Sequence, residues 1–223
     1  RAFANASSIS DLPATEAEVD SIASLLKNQG EDIAVYLGAD ASETNLKAVG
    51  NPKLIHIATH GFFEEDFPVN PKGDGFFSYD EQKFLQNPML RSGLVLAGAG
   101  LSLKGANSSK EDGIVTSQEI SFLSLEDTQL VTLSACETGL GEIANGEGVM
   151  GLQRAFLLAG ANAVLISLWE VDDFATKSLM TNLYRNWLKD QSSLKAAFSK
   201  AKNQLRNEYP HPYYWAPFVL LEN

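Results

Sequence analysis

Short apolar runs rich in β-branched residues alternate with amphipathic segments along almost the whole chain of 223 residues. A short apolar run is typical of a strand buried on both faces, and an amphipathic segment between two such runs supplies a helix that covers the sheet. The alternation therefore predicts an α/β fold, with a central, mostly parallel sheet of about six strands and helices on both faces. The predicted strands are 32–37, 53–59, 93–97, 129–135, 163–168 and 217–221, and the predicted helices are 15–28, 42–49, 148–158, 171–188 and 192–208.

Length and charge limit the classes of function. Hydrophobic residues make up 44% of the chain, which is enough to bury the core of one domain, so we expect a single domain over residues 1–223. The net charge of −11 argues against a nucleic acid partner and favours a basic protein or peptide. Because the chain has no apolar run long enough to cross a membrane, we expect a cytoplasmic protein with no membrane partner.

A histidine and a cysteine each follow a predicted strand. His60 directly follows the predicted strand 53–59, and Cys136 directly follows the predicted strand 129–135. In parallel α/β sheets, ligands bind at the carboxyl ends of the strands, so the two residues are expected to share one site. An imidazole beside a thiol can raise the thiolate fraction or protonate a leaving group, which makes His60 and Cys136 a candidate catalytic pair.

The surroundings of this pair suggest further roles. The backbone N–H groups of Gly61 and Cys136 are candidates for an oxyanion hole. Cys136 is the only cysteine, so no disulfide within the chain and no multi-cysteine metal site is possible, and we expect neither a metal nor another cofactor. The segment 61–92 is too long for a plain connection, and we expect a substrate-side loop or insertion there.

Three acidic residues are candidates for substrate binding. Asp172 and Asp173 follow the predicted strand 163–168, and Glu137 follows Cys136 directly. A carboxylate at this edge of the sheet is suited to pairing with an arginine or lysine at the P1 position of a substrate. The alternative for Asp172 or Asp173 is that it caps the next helix.

Two other local patterns concern His56 and Glu18. His56 lies inside the predicted strand 53–59, where a histidine is typically a hydrogen-bonded core residue. Thr15 followed by Glu18 resembles a capping box at the start of the first helix.

A competing motif points to nucleotide binding. The residues 146–151 match the pattern G-x-G-x-x-G and precede a predicted helix. In a dinucleotide site, however, the glycines follow the strand directly, so that the pyrophosphate meets the helix N-terminus. Here about ten residues intervene, so a nucleotide-binding Rossmann-like domain is kept only as an alternative.

Several blocks together resemble the CHAT domain, a caspase-like cysteine peptidase family that is related to separases and gingipains. The blocks His56-Ile57-Ala58-Thr59-His60-Gly61 and Leu133-Ser134-Ala135-Cys136-Glu137-Thr138-Gly139 are similar to its two signature motifs. The resemblance extends to the blocks 2–5, 12–19, 112–120, 167–173 and 214–219. The caspase signature Gln-Ala-Cys is not matched, because Ser134 stands where it has glutamine.

The resemblance implies a fold and an activity. It implies a caspase-like three-layer sandwich, His60 as general acid and base, and Cys136 as the nucleophile of a cysteine endopeptidase that acts on a protein or peptide in regulated proteolysis or signalling. It also implies a bacterial protein in which a tetratricopeptide-repeat region precedes this domain, and a first strand that is truncated at the N-terminus of this sequence. The alternative within the family is a catalytically silent interaction or scaffold module.

Overall fold

The computed structural model describes residue 12 and the ranges 15–63, 87–103, 111–134, 147–169, 172–190 and 192–223. The α-helices in these ranges are α1 Thr15–Lys27, α2 Glu43–Lys47, α3 Ala99–Leu103, α4 Ser117–Ile120, α5 Glu147–Leu158, α6 Asp173–Asp190 and α7 Leu194–Glu208. The strands are β1 Leu54–Ile57, β2 Gly61–Phe63, β3 Ser92–Val95, β4 Ile114–Thr116, β5 Leu130–Leu133, β6 Ala163–Ser167 and β7 Phe218–Glu222.

The central sheet has the strand order β1-β5-β6-β7. Strands β1, β5 and β6 run parallel, whereas β7 pairs with β6 in the antiparallel direction. Every residue of β5 and β6 is buried, as expected for strands covered on both faces. The mostly parallel sheet is confirmed.

Helices cover both faces of this sheet. Successive side chains of each strand point to opposite sides, so the buried strands present apolar side chains to both faces. On one side, Val131, Leu133 and Ile166 pack with Phe156 of α5 in one core cluster. On the other side, a second cluster brings α1, α6 and α7 onto β5 and β6; it includes Ile22, Leu26, Leu130, Leu165, Leu179, Leu183, Ala197, Ala201 and Leu205. The structure is therefore the predicted three-layer sandwich.

A small second sheet stands beside the first. Its order is β2-β3-β4, and both pairings are antiparallel. The predicted strand 93–97 corresponds to β3 and lies in this sheet, so its assignment to the central sheet was wrong. The segment 61–92 begins with β2 and ends at β3; residues 64–86 lie outside the described ranges.

The predicted strand 32–37 does not form. Residues 32–37 belong to no helix or strand, and three of the side chains, Val35, Tyr36 and Leu37, are exposed. A β-branched sequence becomes a strand only where a neighbouring strand supplies hydrogen bonds, and sequence pattern does not report this. The described part of the central sheet therefore has four strands instead of six.

The predicted capping box is also wrong. Thr15 is already the first residue of α1 instead of the residue before it, and its hydroxyl donates to the carbonyl of Leu12 (2.7 Å). Glu18 is only 3% exposed, and its carboxylate points to the sheet. Of the two acidic residues in the first turn of α1, Glu18 therefore belongs to the core and Glu16 is exposed.

Candidate active site

Strands β1 and β5 end side by side at one edge of the central sheet. Their register pairs Ile57 with Leu133, and the amide of Ser134 donates to the carbonyl of Ile57 (3.0 Å). In the sequence, His60 stands three residues after Ile57, and Cys136 stands three residues after Leu133. Cys136 and Glu137 lie outside the described residues, and β5 is described only to Ser134 beyond its end. Their candidate roles therefore stay predictions.

His60 lies where the central sheet passes into the small one. Its carbonyl accepts the amide of Val95 in β3 (2.9 Å), and the hydroxyl of Thr59 donates to the carbonyl of Val95 (2.5 Å). The side chain is 5% exposed. The backbone around the candidate base is thus fixed by two hydrogen bonds to a neighbouring strand.

The position of Gly61 suits a donor to an oxyanion. Gly61 pairs with Leu94, and the hydrogen bond from Val95 to His60 flanks this pair. That arrangement makes Gly61–Leu94 a non-hydrogen-bonded pair, in which the N–H of Gly61 points away from β3. A Cβ on Gly61 would lie 3.6 Å from Gly93 O and from Leu152 Cδ1, which is ordinary contact, so the fold itself does not require glycine here.

Asp172 and Asp173 stand at the start of α6, after β6. One carboxylate oxygen of Asp172, Oδ1, accepts the amides of Phe174 and Ala175 (3.0 Å each), so Asp172 caps the helix. The Asp172 side chain is exposed, and Asp173 is half-buried. Capping and substrate binding are compatible, because the cap hydrogen bonds hold the carboxylate in place at the carboxyl edge of the sheet.

A chain of four buried polar side chains lies under this edge. Glu18 Oε1 is 2.9 Å from His56 Nε2, His56 Nδ1 is 3.1 Å from the Tyr184 hydroxyl, and that hydroxyl is 2.8 Å from Thr132 Oγ1. We call Glu18, His56, Tyr184 and Thr132 the buried polar chain. Burial, which outweighs the opposing hydrogen bond from Thr132, raises the pKa of Tyr184 far above its usual value, so the phenol stays protonated at neutral pH.

The interpretation of His56 as a hydrogen-bonded core residue agrees with these contacts, but sequence reasoning missed its partners. The signal was present in α1, where Glu18 stands four residues before Ile22 and eight before Leu26, on the buried face of the helix. A carboxylate in an apolar stripe needs a buried partner.

Comparison with known proteins places the chain in a family. The family model described as the CHAT domain matches residues 2–223. The chain belongs to the CHAT domain family. The resemblance drawn from the sequence is therefore confirmed.

Two curated relatives of this CHAT domain are much longer proteins. Tetratricopeptide repeat protein 28 from Homo sapiens is 27% identical over 218 residues, which cover 94% of this chain and 8% of the relative. The protein of the same name from Mus musculus is 35% identical over 96 residues, or 42% of this chain and 4% of the relative. The chain thus spans less than a tenth of each curated relative.

Within the described part of the CHAT domain, the nucleotide-binding alternative finds little support. Strand β5 ends at Leu133, and α5 begins only at Glu147, so the glycines do not join the strand to the helix. The last of them, Gly151, packs closely on β3, since a Cβ there would lie 2.6 Å from Ser92 Oγ. The need for glycine at this position follows from packing.

The described residues contain neither a cluster of metal ligands nor a membrane-spanning helix. No group of three or more histidine, cysteine, aspartate or glutamate residues in these ranges is arranged to hold a metal ion. No helix in the same part of the chain is long and apolar enough to cross a membrane.

Proposed function

We propose that this CHAT domain is a cysteine endopeptidase in which Cys136 is the nucleophile and His60 the general acid and base. The observation that carries the proposal is the register of β1 and β5. It pairs Ile57 with Leu133, and the two candidate residues follow these positions at equal distance in the sequence. The family supports the same class of chemistry.

The proposed reaction has two steps. His60 accepts the thiol proton of Cys136, and the sulfur attacks the scissile carbonyl carbon. The negative charge on the carbonyl oxygen is stabilised by the N–H groups of Gly61 and Cys136. The C–N bond then breaks, and His60 protonates the departing amine, which leaves a thioester on Cys136. Water hydrolyses this thioester with His60 accepting its proton, and the carboxylic acid product and the free thiol are released.

We assign the P1 side of the substrate to Asp172, Asp173 and Glu137. Asp172 follows β6 in the chain, and two hydrogen bonds hold its carboxylate at the start of α6. The net charge of −11 also favours basic substrates. We further propose that the full-length protein is cytoplasmic. We also propose that it carries a tetratricopeptide-repeat region, as the names of the two relatives suggest.

The first test is cleavage of a proteome-derived peptide library, read by mass spectrometry. The wild-type chain should produce cleavage sites that are absent with Cys136→Ala and His60→Ala, and arginine or lysine should dominate P1. Cleavage that persists in Cys136→Ala would contradict the proposed nucleophile. Absence of cleavage with the wild-type chain would favour the interaction-module alternative.

Asp172→Asn and Asp172→Ala separate capping from substrate binding. Asparagine caps helices about as well as aspartate, so Asp172→Asn should keep the stability of the chain but lower kcat/KM for basic P1 residues. Asp172→Ala should also lose about 1 kcal/mol of stability in urea unfolding. If Asp172→Asn cleaves with unchanged P1 preference, Asp172 is a cap and nothing more.

Gly61→Ala tests the oxyanion hole in a similar way. The added methyl group fits the fold, as the 3.6 Å distances show, so the melting temperature should change little. A fall in kcat would then report obstruction at the N–H. Unchanged cleavage would remove Gly61 from the site.

A further inference from the structure

The buried polar chain joins four elements of the fold. Glu18 comes from α1, His56 from β1, Thr132 from β5 and Tyr184 from α6. Glu18, Thr132 and Tyr184 are at most 3% exposed, and the side chain of His56 is 7% exposed. Such a network is costly unless each member has a partner, and here each one has.

One arrangement of donors and acceptors gives every member of the buried polar chain a partner. With the Glu18 carboxylate as acceptor, Nε2 of His56 donates to it. In this arrangement Nδ1 of His56 accepts the proton of the Tyr184 hydroxyl, and the Tyr184 oxygen accepts the hydroxyl proton of Thr132. Every polar hydrogen along this path is used once, so each side chain fixes the orientation of the next.

The buried polar chain holds together the two strands that lead to the proposed active site. His56 and Thr132 are register partners, and Tyr184 bonds to both from the overlying helix. In the sequence, His60 follows His56 by four residues, and Cys136 follows Thr132 by four. A displacement of β1 relative to β5 would therefore change the separation of the His60 imidazole and the Cys136 thiol.

We propose that Glu18, His56, Tyr184 and Thr132 are positioning residues for the Cys136–His60 pair, an inference that rests on the proposed function. They act through the alignment of β1 and β5 and touch no substrate. Loss of one link should therefore lower kcat with little change in KM, because substrate contacts are kept while the reacting groups are misplaced.

Thr132 offers the sharpest test. Thr132→Val replaces the hydroxyl by a methyl group of similar size, whereas Thr132→Ser keeps the hydroxyl. Tyr184→Phe removes the hydroxyl that joins Thr132 to His56, and Glu18→Leu removes the acceptor of Nε2 of His56. Asn186→Ala is the matched control, since Asn186 is buried in α6 like Tyr184 but its amide donates to Gln204 of α7, away from the sheet.

The main measurement is the rate of alkylation by iodoacetamide as a function of pH. Cys136 is the only cysteine, so this rate reports a single thiol and needs no peptide substrate. In the wild-type chain, alkylation should be faster at neutral pH than that of the unfolded chain. Thr132→Val and Tyr184→Phe should slow alkylation and lower kcat by about tenfold or more. Thr132→Ser should restore both, and Asn186→Ala should lower only the melting temperature.

The outcomes separate this inference from the proposed function. If Thr132→Val changes the reactivity of the thiol and Thr132→Ser does not, in a protein that cleaves no peptide, positioning is supported and the peptidase activity is contradicted. Variants that lower the melting temperature but leave the alkylation profile and kcat unchanged would overturn positioning. They would show that the buried polar chain has a purely structural role. An alkylation rate equal to that of the unfolded chain, in the wild type and in all variants, would overturn it as well. If Tyr184→Phe fails to fold, the comparison of Thr132→Val with Thr132→Ser in the alkylation and kcat measurements is decisive.

Discussion

At the scale of single residues, Glu119 shows how a half-exposed carboxylate is held in its ionised form. Lys47 Nζ lies 2.9 Å from Glu119 Oε1, and the amide and hydroxyl of Thr116 donate to Oε2 (2.9 and 2.8 Å). Burial opposes ionisation, but these hydrogen bonds and the Lys47 charge outweigh it and lower the pKa of Glu119. The carboxylate therefore joins α2 to the capping box at the start of α4.

This shift predicts a pH-dependent effect of Glu119→Gln. Glutamine can still complete a capping box, so the variant removes mainly the charge. Because the pKa of Glu119 is lower in the folded chain than in the unfolded one, its contribution is present at neutral pH and is lost as the pH falls through the folded value. Urea unfolding should show Glu119→Gln less stable than wild type at pH 7, with a difference that shrinks on acidification.

Lys47→Met provides the comparison for this prediction. In that background the pH dependence of the Glu119→Gln effect should be weaker, since the cation that favours the carboxylate is gone. A stability difference between Glu119→Gln and wild type that grew at low pH would contradict the assignment.

Some single residues were predictable from the sequence and others were not. The position of His60 after β1 and the cap formed by Asp172 follow from local pattern, because strand ends and helix starts are local events. The pairing of Glu18 with His56 joins residues 38 positions apart. Periodicity gives the face on which a side chain lies, but not the partner that it meets there.

At the scale of elements, the small sheet depends on a tight turn before β4. Gly113 has φ +77°, and a Cβ on it would lie 2.4 Å from the amide nitrogen of Ala99. Its amide donates to the buried carboxylate of Glu43 (3.2 Å), and its carbonyl accepts the amide of Leu96 (2.7 Å). Gly98 also has a positive φ of +96°, but nothing lies within 4 Å of its added Cβ.

These two glycines form a matched pair. Gly98→Ala should cost about 1 to 2 kcal/mol of stability, from backbone strain alone. Gly113→Ala should cost more, because it adds a collision with the backbone of Ala99 to the same strain. Equal losses for the two variants in urea unfolding would show that the turn relaxes around the new methyl group.

The elements themselves were predicted unevenly. The long helices and the three parallel strands leave strong periodic signals, and their observed bounds lie within about three residues of the predicted ones. Strands β2 and β4 have only three residues each, too few for an alternating pattern, and both were missed. For residues 32–37 the composition was typical of a strand, but pairing is a tertiary property.

At the scale of the whole molecule, one sheet is shared by two cores. Leu165 faces α6 and α7, and its neighbour Ile166 faces α5; both are completely buried. Because the two side chains belong to one strand, loss of packing in either helical layer would disturb the sheet on which the other layer packs. We expect the described layers to unfold as one unit.

Leu165→Ala and Ile166→Ala test this cooperativity. Each should cost about 2 to 5 kcal/mol, and the exposed control Phe122→Ala should cost less than about 0.5 kcal/mol. Two of the three tryptophans, Trp187 and Trp215, pack against the α6 and α7 side, so tryptophan fluorescence reports mainly that layer, whereas circular dichroism reports all helices. Both probes should shift together in both variants, and separate transitions would contradict a single unit.

The position of α1 determines where the domain can be shortened. A version of the chain that started after Lys27 would lose the apolar contacts of Ile22 and Leu26 with the core. It would also remove the Glu18 carboxylate and leave a ring nitrogen of His56 without its acceptor inside the protein. The first helix is thus as much a part of the minimal folding unit as the strands that it covers, and expression boundaries drawn close around the two signature motifs would cut through it.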